Sequence, residues 1–314
     1  MPSLRLVACA PILATLIIGA GQATASSTPT TGTPANQTAA ETTLPIATDV
    51  PPTTDDAPAD VPDAVTVVSQ TPDGGLDVQE IPANDPALTA RTLDAAPGVT
   101  ASTVKSRQIL SAPESDGAAR DLQWPLNQLR AEDAWRVSTG AGIVVAVLDT
   151  GVDAGHPDLA GRILPGYDAT RRRAGSTSDP NGHGTHVAGS IAGAGAVSGI
   201  APNSRILPVR VMNANGGGNT ADIVAGIVWA VGHGANVINM SLGSRDSDKA
   251  EEAAIRWARN RGVVVVAAVG NDGGKRTMYP AGYGDSKKNS TDGNDPVIGV
   301  GAVIAMVTLG NGAS

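Results

Sequence analysis

The chain has 314 residues, room for one sizeable domain with appendages, and its formal charge of −8 comes almost wholly from the front: residues 26–112 hold eleven Asp and Glu against three Lys and Arg, whereas 113–314 hold nineteen against eighteen. An acidic leader argues against nucleic acid as a partner, because phosphate binding needs clustered Lys and Arg; Arg171-Arg172-Arg173 lies among Gly, Ser and Asp and reads as a solvated surface loop. Cys9 is the single cysteine, which excludes a disulfide framework, and no apolar run beyond the first 25 residues is long enough to span a bilayer.

Residues 1–25 read as a secretory signal, with Arg5, an apolar run over 6–20 and a small-residue cleavage site at Ala23-Thr24-Ala25. A secreted, extracellular product is the expectation. Leu6-Val7-Ala8-Cys9 has the outline of a lipoprotein box, but the apolar region falls mostly after Cys9, which speaks against lipidation. Cleavage would remove the one cysteine and leave stability to the core, with bound metal ions as a further aid. Over 26–62 Thr, Pro, Ala and Asp dominate and aromatics are absent, the composition of a disordered linker. In the acidic region 63–119, strands at 65–68 and 76–81 flank the turn Pro72-Asp73-Gly74-Gly75, and a short helix over 87–96 stops before Pro97-Gly98. A small α+β unit and an acidic spacer are both open readings.

Residues 120–314 alternate strand and helix. A helix is expected over 131–137, after Gln123-Trp124-Pro125-Leu126. Ile143-Val144-Val145-Ala146-Val147-Leu148 then runs without polar interruption, so both faces of this strand should be buried, as at the centre of a parallel sheet. It closes on Asp149, whose carboxylate must be hydrogen-bonded or paired, since burying it bare is very costly. Further strands at 205–212, 235–243 and 263–271 are interleaved with helices at 221–231, capped by Asn219 or Thr220, and at 248–260. His233 reads as a helix-end residue. Repeated βα units predict an α/β fold, a doubly wound, mostly parallel sheet with helices on both faces. Ligands bind beyond the carboxyl ends of such strands, where Asp149 sits; the alternative is an aspartate that caps the turn Asp149-Thr150-Gly151.

Asp149-Thr150-Gly151-Val152-Asp153, His156-Pro157-Asp158-Leu159 and His183-Gly184-Thr185-His186-Val187-Ala188-Gly189 follow one another in an order that resembles the subtilisin-type serine proteases, over residues 123–303. The resemblance implies that Asp149 and His183 belong to an Asp-His-Ser triad, in which Asp149 orients His183 and His183 serves as general base and then acid. Asn271 would supply a side-chain donor to the oxyanion; a simple turn residue before Asp272-Gly273-Gly274 is the other reading. Ser241-Leu242-Gly243 and the glycine-rich Gly216-Gly217-Gly218 would form two edges that bind an extended peptide. Gly216 to Gly218 lacks the lysine and spacing of a phosphate loop. His183 and His186 lie three apart, but no third ligand is spaced to make a metal site with them. Asp158 stands where relatives place a calcium ligand, although calcium takes six to eight oxygens. The resemblance thus implies a polypeptide substrate, a monomer, no cofactor for the chemistry beyond an optional structural calcium, and a small inhibitory prosegment in the 63–119 region, cleaved within 111–119.

The family's third motif, Gly-Thr-Ser-Met-Ala or close to it, does not occur before Ser314, and 304–314 departs from the family pattern. Ser241 belongs to a substrate edge, Ser290 lies in a polar loop, and Ser314 is terminal, so no serine is assigned as nucleophile. The expectation is a domain cut short before its serine, inactive as written and short of the last helices that should cover its sheet. A non-catalytic peptide-binding module, or the product of a decayed gene, is the alternative.

Overall fold

The computed structural model describes residues 63–109, 123–271, 277–284 and 296–301. The signal at 1–25, the linker at 26–62, the cleavage stretch at 111–119, the turn at 272–274, Ser290 and the tail from 302 lie outside the described residues.

Residues 63–109 form an α+β unit rather than a spacer. Strands β1 (Ala64–Gln70) and β2 (Leu76–Pro82) make an antiparallel hairpin, helix α1 (Pro86–Asp94) follows, and β3 (Val99–Thr103) returns on the other side of β1. Val65, Val67, Ala90 and Ala101 pack into a core of their own. The helix starts at Pro86 rather than 87 because Asp85 accepts the Leu88 amide at 3.0 Å and Pro86 needs no donor there. A fourth strand, β4 (Ser106–Ile109), leaves this unit and pairs elsewhere.

Beyond residue 123 the elements are α2 (Trp124–Gln128), α3 (Ala131–Trp135), β5 (Val144–Asp149), β6 (Tyr167–Asp168), β7 (Arg173–Ala174), α4 (His183–Ala192), β8 (Arg205–Arg210), β9 (Gly217–Asn219), α5 (Thr220–Gly232), β10 (Val237–Met240), β11 (Leu242–Gly243), α6 (Lys249–Asn260), β12 (Val264–Ala268) and β13 (Ile298–Val300). Seven strands join in the order β13-β12-β10-β5-β8-β6-β7, parallel throughout except for the β6–β7 hairpin. β5 is central, with Val145 held between Ile206 and Val237.

The unbroken apolar run explains this position. Val145 and Val147 face a cluster with Ala188 and Ala192 of α4, while Ala146 and Leu148 face the larger core built with α5 and α6. Ile143, read as part of the buried run, instead lies before the strand and is 38% exposed. Helix α5 is capped by the Asn219 side chain, which accepts the Asp222 amide at 2.9 Å, and its last turn is closed by His233, whose Nδ1 lies 2.8 Å from the Trp229 carbonyl. The parallel order brings the carboxyl ends of β5, β10 and β12 to one edge of the sheet, and with them Asp149, Ser241 and Asn271.

Candidate active site

Asp149 is the last residue of β5 and fully buried. One carboxylate oxygen accepts the Thr150 amide at 2.7 Å and faces His183 Nδ1 at 2.7 Å. A carboxylate only accepts, so Nδ1 carries the proton and Nε2 is the basic nitrogen of the imidazole. The partner that a strand-end aspartate demanded is therefore His183. It is the first residue of α4, and Gly182 ahead of it takes a left-handed φ of 95° to turn the chain into the helix.

Close packing sets this pair. The α4 residues on the β5 side are Gly184, Ala188 and Ala192, all buried and four apart. At Gly184 a Cβ would lie 2.0 Å from the Gly151 carbonyl oxygen and 3.1 Å from Asp149 Cβ, so only glycine lets the helix come this near.

Asp179, which the sequence reading passed over, ties the two loops together. One of its oxygens accepts the Thr150 hydroxyl at 2.7 Å and the amides of Gly182 and Asn181 at 2.9 and 3.2 Å. The other accepts the amide and hydroxyl of Thr185 at 2.8 and 2.5 Å. Thr150 in turn accepts the Gly184 amide, and Thr185 the Asp153 amide. Burial pushes the Asp179 carboxyl up, but donors from Thr185, Gly182 and Thr150 outweigh it and hold the group below its ordinary range. Asp179-Pro180-Asn181-Gly182 reads as a turn in sequence, and an acid four residues ahead of the helix is the signal that was available.

Leu242 and Gly243 form β11, Gly217 and Gly218 belong to β9, and the chain's own β4 lies between these two strands. Ile109 and Gln108 pair with Leu242 and Gly243 of β11; Gln108, Arg107 and Ser106 pair with Gly217, Gly218 and Asn219 of β9, all antiparallel. The Ile109 amide donates to the Gly216 carbonyl at 3.0 Å, where a Cβ on Gly216 would meet the Ile109 side chain at 2.7 Å. Ser241 precedes β11 and its hydroxyl accepts from the Asn239 amide group at 3.1 Å. Asn271 lies exposed beyond β12, after Gly270 with φ of 97°.

Other residues singled out in the sequence have these surroundings. Both Asp158 oxygens accept loop amides, from Ala196 at 2.7 Å and Val197 at 3.1 Å, so this carboxylate clamps a loop. Among the described residues no three His, Cys, Asp or Glu gather as a metal site. His186 is turned to a separate depression of about 790 Å³ that it lines with His156, Gln123 and Leu126, while His183 is engaged by Asp149, so the two imidazoles form no metal pair. The basic run at 171–173 is not simply solvated either: Arg172 is largely buried and bridges Asp222 of α5 at 2.9 Å and Glu80 of β2 at 3.4 Å.

A parallel α/β sheet with an aspartate-histidine pair at its carboxyl edge, beside the two strands that flank β4, is a subtilisin-like arrangement, and the chain belongs to the Subtilase family, whose pattern it matches over residues 140–308. That match runs to residue 308, into the stretch 304–314 expected to depart from the family pattern. The chain is 45% identical over 175 residues to the "Thermophilic serine proteinase" of Bacillus sp. (strain AK1), covering 54% of this chain and 41% of that protein. It is 39% identical over 178 residues to "Thermitase" of Thermoactinomyces vulgaris, covering 55% and 63%. Among solved structures it is similar to fervidolysin from Fervidobacterium pennivorans, "a keratinolytic enzyme related to subtilisin", at a TM-score of 0.56 and 27% identity over 74% of this chain and 43% of that one. The chain spans about half the length of the curated relatives it matches. Among the described residues no helix is long and apolar enough to cross a membrane.

Proposed function

We propose that these residues are the precursor part of a secreted serine endopeptidase of subtilisin type, with residues 63–109 as its prosegment. The observation that carries the reading is the 2.7 Å contact between His183 Nδ1 and Asp149, at the sheet edge where β4 lies as an extended peptide would. Peptide hydrolysis needs a nucleophile, a base for its proton, a group to orient the base, and donors for the oxyanion. Asp149 fixes the tautomer and steadies the imidazolium, while Nε2 of His183 takes the nucleophile's proton and returns it to the leaving amine. Asn271 supplies a donor to the oxyanion. Ser241, Leu242 and Gly243 on one side and Gly216, Gly217 and Gly218 on the other hold the polypeptide substrate by main-chain hydrogen bonds. No cofactor takes part in this chemistry; a structural calcium is optional, and Asp158 is one carboxylate that could donate an oxygen to it. The active protein is an extracellular monomer.

No Gly-Thr-Ser-Met-Ala pattern occurs among the 314 residues, and on this reading these residues alone do not turn over peptides. The β4 strand, seated between two edges, also fits a second reading, a subtilisin-like module that only binds peptides. The DNA following codon 314, read in all frames, separates the two. A Gly-Thr-Ser motif there is the expected result; its absence in every frame overturns the protease in favour of the binding module.

A further inference from the structure

The strand that fills the cleft carries a charged side chain into a closed pocket. Along β4, Ser106 and Gln108 are exposed and Arg107 is wholly buried, so Arg107 alone of these three points inward. Its guanidinium makes a two-point contact with Glu251 of α6, Nη2 to Oε2 at 2.6 Å and Nε to Oε1 at 3.2 Å. Nη1 donates to the Ser244 hydroxyl at 2.8 Å and to the Ser106 carbonyl at 3.1 Å. Glu251 is also fully buried, and the Tyr283 hydroxyl lies 2.8 Å from it.

Glu251 does not make the hydrogen bond that its place in α6 would suggest. It stands at the third position of α6, where a glutamate commonly reaches back to the backbone N–H of the capping residue. Here that N–H, on Asp248, donates to the Tyr283 hydroxyl at 2.7 Å instead. The cap itself is made by Asp248, which accepts the Glu251 amide at 2.9 Å. The carboxylate is thus aimed at the strand, and the strand's only buried cation meets it.

Accepting that this cleft is where substrate binds, we infer that the cleft selects peptides with arginine at the position that pairs with Gly218, two residues before the one that pairs with Leu242. A peptide displacing β4 must refill the pocket. An apolar side chain would seal Glu251 away from water with no countercharge, and lysine, a point charge, cannot span both carboxylate oxygens and Ser244. Glu251, Ser244 and Tyr283 are the residues that set this preference.

The test uses the full chain carrying Arg107→Glu, in which two carboxylates in one pocket expel β4; Arg107→Ala serves as a second variant, with far-UV circular dichroism to establish folding. The probes are fluorescein-labelled peptides with the sequence of residues 103–110, bearing arginine, lysine or norleucine at the 107 position, titrated by fluorescence anisotropy. The arginine peptide should bind about 100-fold more tightly than the norleucine peptide, with lysine between, and adding Glu251→Gln should collapse the difference. Equal binding of arginine and norleucine peptides overturns the arginine preference and leaves the cleft reading intact. Binding of none of the three overturns the cleft reading and the preference with it.

Discussion

Replacing Gly184 with alanine tests the packing that places Asp149 against His183. The added Cβ would sit 2.0 Å from the Gly151 carbonyl oxygen, against a practical floor of 3.0 Å, so the start of α4 must retreat by about 1 Å or the Gly151 loop must yield. A retreat of that size stretches the 2.7 Å contact between His183 and Asp149 beyond hydrogen-bonding range. Overpacking costs about 1–3 kcal/mol, and losing a charge-assisted hydrogen bond adds about 1.5–3 kcal/mol, so a destabilisation of about 2.5–6 kcal/mol is expected. Gly189 lies in the same helix with nothing within 4 Å of a built Cβ, and Gly189→Ala should stabilise by about 0.5–1 kcal/mol through helix propensity alone. Urea unfolding of the two variants beside the parent chain, followed by circular dichroism and tryptophan fluorescence, makes the comparison. The reasoning fails if Gly184→Ala unfolds at the same midpoint as the parent, or if the two alanine variants shift together.

Three further outcomes follow from the same geometry. Asp222 is pushed up to about 7 by burial, with Arg172 opposing and Glu80 adding to the rise, so the folded state holds this proton more tightly than the unfolded chain. Its contribution to stability is present below about pH 4 and lost as pH rises through about 7, with a ceiling of about 4 kcal/mol, so the stability difference between the parent and Asp222→Asn should change across that window; parallel pH profiles would contradict this. Asp179→Asn leaves several donors facing an amide group and should cost about 2–4 kcal/mol, with faster hydrogen exchange at the Gly182 and Thr185 amides; unchanged exchange there would remove Asp179 from the positioning role. A serine-directed fluorophosphonate should leave the 314-residue polypeptide unlabelled, and labelling that depends on His183 would reveal a nucleophile among its serines.

The sheet and its central strand were legible because one apolar run long enough to be buried on both faces ends in a carboxylate, and that combination has few solutions. The histidine was legible because the motif it opens resembles the family's, and the small residues that follow it are explained by the packing of Gly184, Ala188 and Ala192 on β5. The remainder depends on contacts between distant residues. Arg107 and Glu251 lie 144 positions apart, and neither stretch announces the other. Arg172 sits in a run of three arginines that looks solvated until α5 and β2 bring acids to its two sides. Asp158 has the right type for calcium, and each of its oxygens accepts a loop amide from 38 or 39 positions away. In each case local pattern revealed which residues carry charge, and the tertiary fold decided what that charge meets.

The central claim is that His183 Nδ1 is held by Asp149, and proton NMR of the full chain with 15N-labelled histidine measures it directly. The account predicts a far-downfield, exchange-protected Nδ1 proton on His183 that disappears in Asp149→Ala. A His183 ring whose Nδ1 proton exchanges freely in the parent chain, and whose signals are unaffected by that substitution, would contradict it.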